Sequence, residues 1–310
     1  MFGFDIGSHE MKIATVEGGK VKALVSVPMP EGLVQDGQIT SFEDVAELIK
    51  TALKDNKLRG GKQASVILPS GITFLRRIKM PPMNVSQLNV NLPYEFKDYL
   101  TMEKNKYYFD YRVNAIKEDQ DGNPSEMDLT AAAVAKTAIE DYREMFRRAG
   151  LKLTTAIPAE CAYANVISAL NGDSGKEYCF LDLGHTATRL LIYTGTVYET
   201  SKNMESALAA KNKAAAENDS ENIYSSIALE ARKALNFYSF SNRDSNLSDA
   251  YLAGGGMNNS DLTEALRGSL DVTLHPADDI LPESAKQVKS SGAGAWVLAI
   301  GAALQEKEGK

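Results

Sequence analysis

The chain has 310 residues, of which 44% are hydrophobic and 24% charged, with a net charge of −7. This leaves room for about two domains of ordinary globular composition and argues against a nucleic-acid surface, which is typically basic. The only two cysteines, Cys161 and Cys179, make neither a zinc site nor a disulfide framework and read as buried thiols in a reducing compartment.

Residues 2–28 read as three β-strands between glycine breaks, and "EGLVQDGQIT" as a connection. The spacing over 41–56 predicts a helix, with Ser41 as N-cap and Phe42, Val45, Leu48, Ile49 and Ala52 on one face. "QASVILPSG" follows as a buried strand. From about 76 to 130 the texture changes: "FLRRIKMPPM", a helix broken at Pro93, then two strands around an Asp-Gly-Asn-Pro turn make a βαββ insertion. The cations of "FLRRIKM" read as a solvated strand edge. A helix closing at Gly150, the strand "KLTTAIP" and the helix "ECAYANVISAL" complete a first half.

The second half opens on a repeat of the first. "FGFDIGSHEMKIATVEGG" and "YCFLDLGHTATRLLIYTG" align at a constant offset of 177, pairing Asp5 with Asp182, Gly7 with Gly184, Lys12 with Arg189 and Gly18 with Gly195. An alanine-rich helical stretch splits near 218–220. The strand "DAYLAGGG" runs into three glycines, and "SSGAGAWVLAIGAAL" reads as a final apolar helix, shorter than the roughly 20 residues that span a bilayer. With Asp5 and Gly7 where a leader's apolar core would lie, no signal peptide is expected and the chain reads as cytoplasmic. Strands and helices alternate in both halves, so the class is α/β with two similar sheets.

A tight turn that presents successive backbone N–H groups binds anions, and glycine lets a phosphate approach the backbone. Gly7 and Ser8, with Gly184, Thr186 and Thr188 opposite, are therefore candidates to hold two sides of a polyphosphate. Asp5 and Asp182 repel phosphate but can face a hydrated Mg²⁺ that bridges it. Gly254, Gly255 and Gly256 offer a flat backbone to an adenine ring.

This order of motifs resembles the actin and sugar-kinase superfamily of ATP-binding proteins. With "DIGSHEMK", "PYEFKDYL", "YYFDYRV", "AAAVAKTAIEDYREMFRRAGLKLTTAIPAECAYANVI", "LEARKALNFYSF" and "DAYLAGGGMNN" in sequence, the chain resembles the PilM family of type IV pilus assembly. The resemblance implies an actin-like, ribonuclease H-like fold. Residues 1–75 with 131–170 would form one domain, 76–130 an inserted lobe, and 171–310 a second domain with a shortened upper lobe. It implies ATP and Mg²⁺ as cofactors: Asp5 and Asp182 toward the metal, Gly7, Ser8, Lys12, Gly184, His185, Thr186 and Thr188 around the phosphates, and Gly254, Gly255 and Gly256 at the adenosine. Glu160 would position the attacking water of a slow ATPase at most, though a carboxylate in a first helical turn also suits the helix dipole.

The implied role is a cytoplasmic scaffold at the inner face of the membrane, with no membrane insertion of its own. A groove beside the inserted lobe would take the N-terminal peptide of a PilN-like membrane protein, with Leu92, Tyr94, Phe96 and Tyr99 as candidate contacts. The pilus assembly ATPase machinery and further copies of the chain complete the expected partners. The chain departs from the family pattern where "YETSKNMESALAAKNKAAAENDSENIYSS" lacks a Gly-Gly and a Glu-x-x-Lys, and where His9 and His185 stand in place of small residues. The alternatives are an FtsA-like division protein, disfavoured by the short charged end "AALQEKEGK", and a small-molecule kinase, for which no acidic base motif stands out.

Overall fold

The computed structural model describes residues 1–35, 37–58, 61–101, 103–170, 175–185, 188–204 and 220–304, without the side chains of 220–222. The repeat seen in the sequence becomes two sheets wired alike. In the first, β1 (Phe2–Ile6), β2 (Glu10–Glu17) and β3 (Lys20–Pro28) form an antiparallel meander; β6 (Gln63–Leu68) and β10 (Lys152–Pro158) extend it in parallel, giving the order β10-β6-β1-β2-β3. In the second, β11 (Glu177–Leu183), β12 (Thr188–Thr194), β13 (Val197–Met204), β14 (Asp249–Ala253) and β15 (Thr273–Pro276) run in the order β13-β12-β11-β14-β15. Matching turns use matching glycines. Gly18 (φ +56°) closes the turn after β2 and Gly195 (φ +55°) its counterpart after β12, both in the left-handed region that a side chain disfavours. A two-stranded ribbon, β4 (Val34–Gln35) with β5 (Gln38–Ile39), occupies the stretch expected as a plain connection.

Strand alternation decides what each sheet face meets. Phe2, Phe4, Met11 and Ile13 point to α1 (Phe42–Asp55) and α3 (Lys136–Arg148), where they bury Val45, Ile49, Tyr142, Met145 and Phe146. The α1 start is capped as its sequence predicts, Ser41 Oγ accepting from the Asp44 N–H, and Val45, Ile49 and Ala52 are buried. The opposite faces of both sheets close on α4 (Ala159–Ala169) and α8 (Val297–Ala303), with Tyr163, Phe180, Tyr193 and Ile300 fully buried between them. The outer face of the second sheet packs Cys179, Leu181 and Ile192 against α5 (Ser220–Ser241) and α6 (Ser260–Ser269). A short α7 (Glu283–Val288) precedes a 3-10 turn at Ala293–Trp296, so the final α-helix starts only at Val297. Although α8 closes the second half of the sequence, it lies against β1, β2 and β6 of the first sheet. No helix among the described residues is long and apolar enough to cross a membrane.

The insertion is β7 (Thr73–Met80), α2 (Val85–Asn91), β8 (Tyr107–Glu118) and β9 (Pro124–Ala135), an antiparallel sheet of order β7-β9-β8. Pro93 converts the end of its helix to a 3-10 turn. One sheet face carries Ile78, Leu129, Ala131 and Ala133 under Leu88, Leu92 and Phe96. Of the cations on the edge strand β7, Lys79 is exposed as a solvated edge would have it, but Arg76 and Arg77 are not. Arg77 donates from Nε and Nη2 to Asp128 (2.9 and 2.6 Å) and pairs through Nη1 with Glu199 of β13, while Arg76 lies over the Tyr99 ring. Arg112 also reaches Thr196 Oγ1 at 3.3 Å, so the insertion is tied to both halves.

Candidate functional site

The two repeated hairpins face each other across a cavity of about 680 Å³. It is lined by Asp5, Gly7, Ser8 and Lys12 from the first hairpin, by Asp182, Gly184 and Arg189 from the second, and by Gly254 and Gly255. The hairpin tips touch. His9 and His185 stack with ring centroids 5.0 Å apart and planes within 11°, and Ser8 Oγ lies 3.5 Å from His185 Nδ1. Desolvation and the neighbouring His9 both hold the His185 pKa below its usual range.

The strand register sets each aspartate opposite a cation of its own hairpin: Asp5 opposite Lys12, Asp182 opposite Arg189. The cations then choose differently. Lys12 turns to Glu10, with Nζ 2.7 Å from Oε1, whereas Arg189 Nη2 holds Asp182 Oδ2 at 2.5 Å. Burial is the largest influence on Asp5 and raises its pKa; Lys12 opposes the rise and the charge of Asp182 adds to it. Burial also acts against ionisation of Glu10, but hydrogen bonds from Lys12 and Ser26 outweigh it and its pKa falls. Desolvation disfavours the Arg189 charge, yet Asp182 beside it more than compensates and holds the guanidinium pKa above its usual value.

The glycine turn after β14 is built for close approach. Gly254 has φ +79°, and a Cβ there would meet Asp182 Oδ1 and the Leu183 carbonyl oxygen at 2.8 Å; at Gly256 it would meet Leu183 Cβ at 2.8 Å. A side chain at Gly255 would instead stand 3.4 Å from Glu10 Oε1 and 3.8 Å from Lys12 Nζ. The cleft beside this turn has room for a ligand of nucleotide size. Its fit to a metal ion is poorer: Asp182 is only 3% exposed, one oxygen is taken by Arg189 and the other faces Gly254. Among the described residues no group of three or more His, Cys, Asp or Glu side chains could hold a metal ion.

Of the expected site residues, the structure gathers Asp5, Gly7, Ser8, Lys12, Asp182, Gly184, His185, Gly254 and Gly255 around one cavity. Gly256 is buried behind it against Leu183. Thr188 is 1% exposed, and its Oγ1 has no hydrogen-bond partner among the described residues. Thr186 lies outside the described residues, as does most of the stretch read as a rebuilt upper lobe. Glu160, in the first turn of α4, lines a different cavity, and its carbonyl accepts from the Tyr193 hydroxyl at 2.9 Å. Glu10 and Arg189 were not expected at the site. The repeat had paired Lys12 with Arg189, and that pairing was the signal available for one of them.

The second cavity, about 590 Å³, is a groove between the insertion and the first sheet. Its floor is the helix-free face of the three-stranded sheet, with Thr130, Ala132 and Val134, and its far wall is Thr154, Ala156 and Pro158 of β10 with Cys161 and Ala164 of α4. Both β8 and β10 are edge strands of their sheets among the described residues. Leu92 and Phe96 are buried inside the insertion, while Tyr94 and Tyr99 are exposed outside this groove.

The family model described as type IV pilus assembly protein PilM matches residues 3–208, about two thirds of the chain. The chain belongs to that family. Among solved structures it is similar to a chain of the "PilM-PilN type IV pilus biogenesis complex", at 20% identity over 98% of this chain and 97% of that one, with a TM-score of 0.77. It is also similar to the ethanolamine utilization protein EutJ from Carboxydothermus hydrogenoformans, at 14% identity over 98% and 88% of the two chains and a TM-score of 0.56. The cytoplasmic domain of EpsL, an inner membrane component of the type II secretion system of Vibrio cholerae, matches at 10% identity over 93% and 95%, with a TM-score of 0.50. No curated protein matches. The fold of this family member is thus actin-like, with two sheet cores of the same wiring.

Proposed function

We propose that the chain is a cytoplasmic scaffold of type IV pilus assembly that takes the N-terminal peptide of a PilN-like membrane protein in the groove beside its insertion. The observation that carries this reading is the groove itself. Two open strand edges, β8 and β10, flank it, so an extended peptide can pair with backbone N–H and C=O groups that have no strand beside them among the described residues. Ala132, Ala156 and Ala164 keep floor and wall low, leaving room for the peptide's own side chains. The similarity to a protein solved as a PilM–PilN complex supports a partner of that kind. The cleft between the hairpins is read as an ATP site: Gly7, Ser8, Lys12 and Gly184 around phosphate, Gly254 and Gly255 toward the nucleoside. Glu160 lies away from this cleft, which favours a scaffold over an efficient ATPase.

The test is fluorescence anisotropy with a labelled N-terminal peptide of a PilN-like membrane protein. Ala132→Trp, which fills the groove floor, should weaken binding by about tenfold or more, while Tyr94→Ala, outside the groove, should leave it unchanged. Unaltered affinity in a normally melting Ala132→Trp protein would remove the groove from the proposal.

A further inference from the structure

The cleft carries two cations of its own. Lys12 and Arg189 are separated by the same 177 residues as Asp5 and Asp182, and each stands across a strand pair from its aspartate. Their side chains are 9% and 14% exposed, and both line the cavity. A bound Mg²⁺ keeps several waters and reaches the protein through carboxylate oxygens that face it. Asp182 lines the cavity but is poorly placed for that: Oδ2 is bonded to Arg189 and Oδ1 is packed where Gly254 permits no Cβ. The positive charge that a metal would bring beside Asp182 is already there, as a guanidinium. Arginine has five N–H donors in a planar fork, and Arg189 directs one of them to Asp182. The rest suit the paired oxygens of a phosphate in the cavity that it lines.

We propose that Arg189 takes the place of the metal ion in this cleft, so that the phosphates of a nucleoside triphosphate bind without Mg²⁺. Lys12 completes the arrangement from the other hairpin. Its ammonium lies 3.8 Å from where a Cβ on Gly255 would stand, under the glycine turn, and Glu10 holds it there at 2.7 Å. A phosphate chain threaded between the hairpins thus meets one internal cation on each side. This inference rests on reading the cleft as a nucleotide site.

Isothermal titration of ATP into the full chain, once in EDTA and once in excess Mg²⁺, separates the two ideas. The wild-type affinity in EDTA should stay within about threefold of that in Mg²⁺. Arg189→Ala should bind at least about tenfold more weakly in EDTA and recover part of the loss when Mg²⁺ is added, while Arg189→Lys should keep most of the metal-free affinity. If Arg189→Ala fails to fold by thermal melting, Asp182→Asn decides the matter, because it frees the guanidinium and should strengthen binding in EDTA. Wild-type binding that collapses on removing Mg²⁺, or metal-free binding indifferent to both substitutions, overturns the proposal and leaves the nucleotide reading standing. No heat under either condition overturns both, and peptide binding in the groove is untouched by that result.

Discussion

Gly301 gives a prediction whose sign is opposite to the general rule. Within an exposed helix, replacing glycine by alanine stabilises by about 0.5–1 kcal/mol, because glycine gives up more backbone freedom on folding. Gly301 sits inside α8 where that helix crosses α4, and a Cβ there would stand 2.2 Å from the Ala162 carbonyl oxygen and 2.7 Å from its carbon. These are backbone atoms within a helix, so no rotamer change relieves the overlap. The helices must part by about an ångström, and the layer holding Tyr163, Phe180 and Ile300 loosens with them. Overpacking in a close-packed core costs roughly 1–3 kcal/mol, and contact with rigid backbone belongs at the upper end. Gly301→Ala should therefore destabilise by about 2 kcal/mol net of the helix gain. Gly268→Ala, in α6 with nothing within 4 Å of the new methyl, is the internal control and should stabilise by about 0.5 kcal/mol. Urea unfolding of the three proteins, followed by circular dichroism, reads both signs. A Gly301→Ala midpoint equal to or above that of the wild type would refute the close crossing of α4 and α8.

Two further outcomes follow from buried ionisable groups. Burial works against the Asp128 charge, but hydrogen bonds from Arg77 and Asn114 outweigh it and lower its pKa below the ordinary 3.8. Its contribution is then complete above the unfolded value and lost as pH falls through the folded one; Asp128→Asn should cost about 2 kcal/mol at pH 7, with the gap between the urea midpoints narrowing as pH falls below the ordinary carboxylate range. Burial raises the thiol pKa of Cys179, and burial together with the Glu160 charge that of Cys161, each to about 12. At pH 8 only about one such thiol in ten thousand is then thiolate, so iodoacetamide should leave the buried Cys179 unlabelled in the folded chain and label it in guanidinium, while Cys161, half-buried in the groove wall, should react slowly in the folded chain; labelling of native Cys179 at a free-thiol rate would contradict its burial.

What could be read from the sequence is what depends on local rules. Period-two alternation with glycine turns located the hairpins, their repetition at a fixed offset declared two like halves, and Ser41 with Asp44 marked a helix start that the structure confirms. Pro93 broke its helix where expected. What escaped depends on tertiary register. Every residue from Val297 to Ala303 is buried, so no apolar stripe told which sheet α8 would cover, and its contact with the first sheet could not be read from the sequence. Leu92 and Phe96 have the same composition as a binding surface, yet the βαββ unit needs them as its own core. Arg189 was visible as the partner of Lys12 in the repeat, but that it would bond Asp182 while Lys12 bonds Glu10 follows from side-chain geometry in the cleft.

The shared wiring of the halves makes their differences informative. Both present an Asp-x-Gly hairpin to the common cleft, but among the described residues only the first half sends out a three-stranded insertion, between β6 and α3. That insertion leaves the edges of β8 and β10 open, among the described residues, while Arg77 anchors it to Glu199 of β13 and Arg112 to Thr196 in the turn before that strand. The groove is consequently walled by both halves, with Thr196 and Tyr198 at one end. Helix α4 belongs to groove and interface alike: Glu160, Cys161 and Ala164 line the groove, Ala162 and Tyr163 pack between the sheets, and the Glu160 carbonyl is held by Tyr193 of the second half. Burial of Tyr163 raises its hydroxyl pKa, and the charge of Asp182 in the cleft raises it further, which puts the cleft's electrostatic field directly on this helix. The close contact of Gly301 with Ala162 fixes α4 against α8, so the helix that walls the groove is also locked into the layer between the two sheets.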